Sequence, residues 1–177
     1  MDYSSLQDVV QSILHNDRST YKFKERYNKN FLTDFVNSLQ DGTVFEICKG
    51  MCDIQHLEEE TSYNKWKELK AEHDKTKKKL KQKYNHNLVK NHDNPAALKV
   101  IQKWYVSESQ GMNFRTDKEL QMLERQIVLQ MDQLIFSQQE YFVEAGVPGF
   151  SCTRNSTEIQ FQITLLNLIN NLECYFK

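Results

Sequence analysis

The chain has 177 residues and a mass of 21.1 kDa, the size of one domain or of one long helical assembly with a small head. Its 23 basic and 24 acidic side chains leave a net charge of −1, which excludes a nucleic-acid or membrane charge signature spread over the whole chain. Five Gly and two Pro are too few turn formers for a sandwich or barrel, and with 39% hydrophobic and 27% charged residues they point to long helices and few connections.

Taken in chain order, Ser4 with Gln7 is expected to form a capping box ahead of Leu6, Val9, Val10, Ile13 and Leu14. A polar stretch runs from His15 to Asn30. Phe31, Leu32, Phe35, Val36 and Leu39 then form an amphipathic stripe, broken at Asp41-Gly42, where Gly42 suits a left-handed residue after a helix. Thr43 and Glu46 make the next expected capping box, followed by the apolar face Val44, Phe45, Ile47, Cys48, Met51, Ile54 and Leu57. From Glu58 the apolar residues thin to Trp66, Leu69, Leu80, Tyr84 and Leu88, and neither glycine nor proline occurs from Met51 to Asn94. That pattern predicts one extended helix with a narrow seam.

Asn94-Pro95 is a strong helix start, with Asn as cap and Pro at the first helical position. The polar His92-Asp93 before it predicts an antiparallel hairpin. Gly111 is expected to break or bend the second helix, and Thr116 with Glu119 to cap its continuation. Beyond it, Leu120, Leu123, Ile127, Gln130, Leu134, Ser137 and Tyr141 follow a heptad-like seam in which Gln130 and Ser137 would set register. A second stripe, Val128, Met131, Ile135 and Phe142, lies beside it. Gly146-Val147-Pro148-Gly149 is the one concentrated turn signal, and Asn155 with Glu158 caps a final helix rich in Leu and Ile. The opening of that helix, residues 159–163, alternates as a strand also would. Asn155-Ser156-Thr157 matches a glycosylation sequon but reads better as this cap.

Specific strings also carry a resemblance. Asp41-Gly42-Thr43-Val44-Phe45-Glu46-Ile47 is followed by Ile54-Gln55-His56-Leu57 and Tyr63-Asn64, and later by Glu144-Ala145-Gly146-Val147 and Gly149-Phe150. This arrangement resembles the DiGeorge syndrome critical region six family, which includes the insect gonadal protein. The resemblance is strongest in 41–64 and 144–172. It implies a small protein rich in coiled coil, with no established enzymatic activity, associated with the nucleus and with development. It carries over no catalytic residue. Cys48 and Cys52 depart from the aliphatic residues expected of relatives.

Chemistry-bearing clusters are few. Cys48, Cys52 and His56 share a helix face at steps of four, but the three span about 12 Å, too far for one ion. No metal or other cofactor is expected. The five histidines are dispersed, with no nucleophile elbow and no glycine-rich phosphate loop, so no catalytic residue is assigned. Lys75, Lys77, Lys78, Lys79, Lys81 and Lys83 form a basic cluster. Residues 65–90 hold ten Lys against Glu68, Glu72 and Asp74, a net of +7. The cluster reads as a solvated face, a nuclear import signal or a weak phosphate contact.

Residues 1–20 lack a basic and an apolar region, which predicts no secretory signal, and the run Ile159 to Leu172 is too short to span a bilayer of about 30 Å. The expected location is intracellular, in nucleus or cytoplasm, with Cys48, Cys52, Cys152 and Cys174 as reduced thiols. The fold expected is all-α: a helical head from 1–57 joined to 145–177, with a long antiparallel coiled-coil-like hairpin from 58–144. The function expected is a non-enzymatic scaffold or adaptor, with protein partners or a second copy on the seam Leu120, Leu123, Ile127, Met131, Leu134 and Phe142. The alternative is a nuclear factor touching nucleic acid through the lysine cluster.

Overall fold

A computed structural model describes residues 10, 12 and 20–176. The expected Ser4–Gln7 cap lies outside them. Among the described residues there is no strand, and no helix is long and apolar enough to cross a membrane. The order is a short 3-10 helix Thr20–Arg26, then α1 (Lys29–Leu39), α2 (Thr43–Lys90), α3 (Pro95–Glu144) and α4 (Ser156–Phe176). The chain divides into two compact units. One comprises residues 1–56 and 132–177, the other 57–131.

The first unit holds the apolar core. In α1 the amphipathic stripe buries Leu32, Phe35, Val36 and Leu39, while Asn28, whose side chain accepts from the Phe31 N–H at 2.9 Å, caps its start. Gly42, at φ +79°, turns the chain into α2. There the expected Thr43–Glu46 box gives way to another device. The Thr43 N–H donates to the Asp41 carboxylate at 2.9 Å, so Asp41 is the residue that satisfies the open end. Val44, Phe45, Cys48 and Met51 then face inward.

α3 ends in a paired hydrogen-bond closure. The Val147 N–H donates to the Phe142 carbonyl and the Gly146 N–H to that of Val143, both at 3.0 Å, with Gly146 at φ +69°. The turn folds Phe150 onto Phe142, ring centroids 4.4 Å apart. Asn155 caps α4 as expected, accepting from the Thr157 N–H at 2.9 Å. Residues 159–163 are helical, because Phe161, Leu165, Leu168, Ile169 and Leu172 make a buried stripe at helical spacing. Phe161 sits among Phe23, Tyr27 and Phe31, at 5.2, 5.7 and 6.0 Å. Arg26 lies 4.8 Å over the Phe161 ring and grips Glu158 with two hydrogen bonds of 2.6 and 2.7 Å. Those bonds hold the Glu158 carboxyl below its usual range. The sign follows: what the pair adds to stability is present at neutral pH and is lost as pH falls through that depressed range.

In the second unit α2 and α3 run antiparallel, because contacts descend on one helix as they ascend on the other: Trp66 with Glu124, His73 with Glu119, Tyr84 with Tyr105. Asn94 caps α3, accepting from the Ala97 N–H at 3.1 Å. Two expectations fail here. Gly111 does not interrupt the helix, and Thr116 with Glu119 is no cap but lies in its interior. The Thr116 hydroxyl donates instead to the Asn113 carbonyl at 3.0 Å.

The inward line of α3 also differs from a heptad. Leu98, Ile101, Tyr105, Ser109, Met112, Thr116, Leu120, Leu123, Ile127, Met131, Leu134, Gln138 and Phe142 are half-buried or buried. Their steps repeat as three, four, four. Leu98, Ser109, Leu120, Met131 and Phe142 are therefore each eleven apart. Gln130, Ser137 and Tyr141, which a heptad turns inward, are exposed. Eleven residues in three turns give about 3.67 per turn, so on a straight helix this line drifts about 20° per eleven residues, whereas a heptad drifts about 20° per seven in the opposite sense.

Gly149 leaves no room for a side chain. It sits at φ +86°, and an added Cβ would come 2.6 Å from Leu165 Cδ1 and 2.8 Å from Phe161 Cε1, whereas at Gly146 the space is open. Gly149→Ala is therefore expected to cost roughly 2–4 kcal/mol, and Gly146→Ala only about 1–2 kcal/mol. Urea unfolding of the two variants side by side checks the order.

Candidate functional site

Two surfaces carry the chemistry, one on each unit. On the first, α2, α3 and α4 enclose an open groove of about 270 Å³. Cys48, Met51, Ile135, Phe142, Ile163 and Leu166 give it apolar walls, and amides of Gln55, Gln138 and Asn170 edge it. Two further glutamines are spent on the neighbouring loop. Gln139 accepts from the Thr153 N–H at 2.9 Å, and Gln162 donates to the Ser151 carbonyl at 2.8 Å. The lining contains no histidine, carboxylate, lysine or arginine. Proton transfer there would fall to thiols alone, and burial, with smaller contributions from Cys52 and Glu173, pushes the Cys48 thiol up to about 12. A thiol held there stays protonated and is a poor nucleophile and metal ligand. Cys52 and His56, the other members of the cysteine–histidine line, are exposed, and among the described residues no group of three or more His, Cys, Asp or Glu is placed to hold a metal ion.

On the second unit, the paired helices bury a polar layer. His73 is 7% exposed, and its Nε2 lies 2.8 Å from Glu119 Oε2. Among the described residues its Nδ1 finds no hydrogen-bond partner, nor does the buried Ser62 hydroxyl three turns earlier on α2. Thr116 is buried beside this layer. An ionisable group inside a narrow seam restricts how the helices can slide, because any shift strands it. Sequence reading found no acid for this histidine, since Glu119 stands 46 residues away and only the antiparallel register brings it close.

The predicted residues fall as follows. Leu120, Leu123, Ile127, Met131 and Leu134 are half-buried on the inward line of α3, and Phe142 is buried in the core. The basic cluster is exposed on α2. Within it, Lys83 lies 5.1 Å over the Trp104 ring, and Lys77, Lys78 and Lys81 line a cleft with Tyr105, Ser109 and Asn113. Trp66 donates to Glu124 at 3.3 Å and lies under Lys70, so the two tryptophans stay apart, as their distances from the turn require.

The comparisons with known proteins bear on the whole of this chain. Residues 2–175 match the model of the DiGeorge syndrome critical region 6 (DGCR6) protein family, and a chicken (Gallus gallus) Protein DGCR6 is 32% identical over 170 residues, 96% of this chain and 81% of the relative. The chain belongs to the DGCR6 family. The Gonadal protein gdl of Drosophila melanogaster is 26% identical over 147 residues, 83% of this chain and 68% of its own. No solved structure matches.

The residues that carry the DGCR6 family resemblance here are builders of the fold. Asp41 and Gly42 make the α1–α2 turn, Val44 and Phe45 are buried, and Ile47 packs against the core. Gln55 edges the groove, while Glu46, His56 and Leu57 are exposed. Gly146, Val147 and Phe150 form the turn after α3.

The thiols give a direct check. Cys48 is buried, whereas Cys52, Cys152 and Cys174 are exposed. At pH 8 a colorimetric thiol reagent is expected to titrate three cysteines quickly and the fourth only after denaturation. Four fast thiols would contradict the burial of Cys48.

Proposed function

We propose that this DGCR6 family member is a non-enzymatic interaction scaffold that associates through the outer face of α3. The observation that carries the reading is a second apolar line on that helix. Met122, Leu129, Phe136 and Val143 are seven residues apart, Val128 and Ile135 stand next to it, and all six are exposed. A seven-residue period suits a partner helix in a left-handed coil, and it differs from the eleven-residue line that serves α2. Leu120, Leu123, Ile127, Met131 and Leu134 close the helix pair in this reading, which leaves the outer line for association. Its middle is self-complementary. A second copy running antiparallel, centred between Val128 and Leu129, sets Arg125 of one copy opposite Asp132 of the other and Met122 opposite Ile135. Neither Arg125 nor Asp132 is in an ion pair among the described residues. Four unpaired thiols support the reading of a scaffold that works inside the cell, in nucleus or cytoplasm.

The test is the absolute mass by light scattering across a dilution series. A dimer is expected. Arg125→Glu or Asp132→Arg alone should weaken it by on the order of a hundredfold, because each leaves like charges facing in a desolvated seam. The double swap should restore it. A monomer at every concentration, or a dimer indifferent to both reversals, would remove this reading.

A further inference from the structure

We infer that the basic end of the helix pair binds the phosphate backbone of nucleic acid, without reading bases. Residues 75–107 hold nine lysines (75, 77, 78, 79, 81, 83, 90, 99 and 103) and a single acid, Asp93, so nine minus one gives +8 with histidine neutral. The remaining 144 residues (177 minus 33) carry −9, since the total is −1. Charge is segregated in this chain, and its balance as a whole conceals that.

The antiparallel pairing makes the segregation spatial. Lys99 and Lys103 on α3 lie along the same end of the pair as Lys83, which reaches Trp104, and Lys90, which ends α2. Asp93 gives no relief, since its carboxylate sits 2.9 Å from its neighbour His92. Among the described residues none of the nine lysines is in an ion pair. On α2 they repel each other at steps of four: Lys75 with Lys79, Lys77 with Lys81, Lys79 with Lys83. Each such pair disfavours the helix slightly, a cost that a bound polyanion would relieve.

One place gathers these charges into a site. Lys77, Lys78 and Lys81 line a cleft of about 300 Å³ with the Tyr105, Ser109 and Asn113 side chains. Lysine, tyrosine, serine and asparagine are residue types whose side chains donate to phosphate. Asp74 at its edge is the one acidic lining residue. One feature favours a nucleic acid over a membrane. The lysines occupy both flanks of the pair, Lys78 and Lys81 on the cleft side and Lys83 over Trp104. A planar bilayer reaches one flank at a time, whereas a phosphate chain can follow several. Tyr84 and Tyr105 are spent on each other, stacked at 4.1 Å, and Trp104 is covered by Lys83. These three are the aromatic residues of the stretch 75–107, and none of them stands open as a base platform, so contact there is with the backbone.

The experiment is fluorescence anisotropy of the full chain with a labelled mixed-sequence single-stranded DNA and with its duplex, between about 50 and 200 mM salt. Binding is expected at the lower salt and a loss on the order of a thousandfold at the higher. Lys77→Gln, Lys78→Gln and Lys81→Gln together should weaken binding tenfold or more and flatten the salt slope by about two to three. The same charge removed at Lys65, Lys67 and Lys70 should change it by no more than about threefold. Glutamine keeps helix propensity, so both triples should fold alike, which circular dichroism verifies. No binding at low salt would overturn the inference. So would equal losses from the two triples, or equal affinity for phosphatidylserine vesicles or for polyglutamate, which would show a mere cation cloud. None of these outcomes bears on the mass measurement of the preceding section.

Discussion

The long helices α2 and α3 stand because each covers the other's narrow inner line. Neither α2 beyond residue 57 nor its return partner carries a wide apolar face. A single helix of that composition would be marginal in water, because its nucleus and its exposed backbone are not repaid by burial. Pairing changes this at every third or fourth residue, through Trp66, Leu69, Leu80 and Tyr84 on one side and Tyr105, Met112, Leu120 and Leu123 on the other. The buried His73 with Glu119 adds no great stability, but it leaves one register in which His73 Nε2 meets its carboxylate. The positions of all the outward residues, lysines and apolar line alike, follow from that register.

Much of this order is legible from local chemistry. Asn94-Pro95, Asn155 and the glycines at 42 and 146 act within one turn of chain, so the helix boundaries they set are readable from neighbours alone. The stripe of α1 is readable for the same reason. The 3-10 helix Thr20–Arg26 is not, because its buried Phe23 gains its meaning from Phe161 far along the chain. The Thr116–Glu119 pair has the letters of a cap, yet the preceding turn has no break, and Glu119 answers to His73 instead. The heptad expected from Leu120 onward keeps a count of seven where the inward line counts eleven. Up to Ile127 the two periods share residues, and only at Met131, Gln138 and Phe142 do they part.

The candidate sites divide in the same way. Charge segregation can be counted from the sequence, but the cleft between Lys77, Lys81 and Ser109 exists only once the helices are paired. The groove of the first unit needs three helices far apart in the chain, and its uncharged lining is a property of the assembly. Membership of the DGCR6 family rests on residues that make turns and core, which explains why the family likeness identifies the fold more directly than any chemistry.

The spacing of the inner line also constrains how the length of this chain can change. Removing one residue from α3 rotates everything beyond it by about 100° and turns Leu120, Leu123 and Ile127 out to solvent. Removing eleven rotates it by only about 20°, so the lines on both sides of the cut still meet α2. The partner helix must lose the same span for the polar layer to stay aligned. Tolerated insertions and deletions in this pair therefore come as matched blocks of three turns on both helices, or else at the Asn91–Asn94 turn, where no buried line is interrupted.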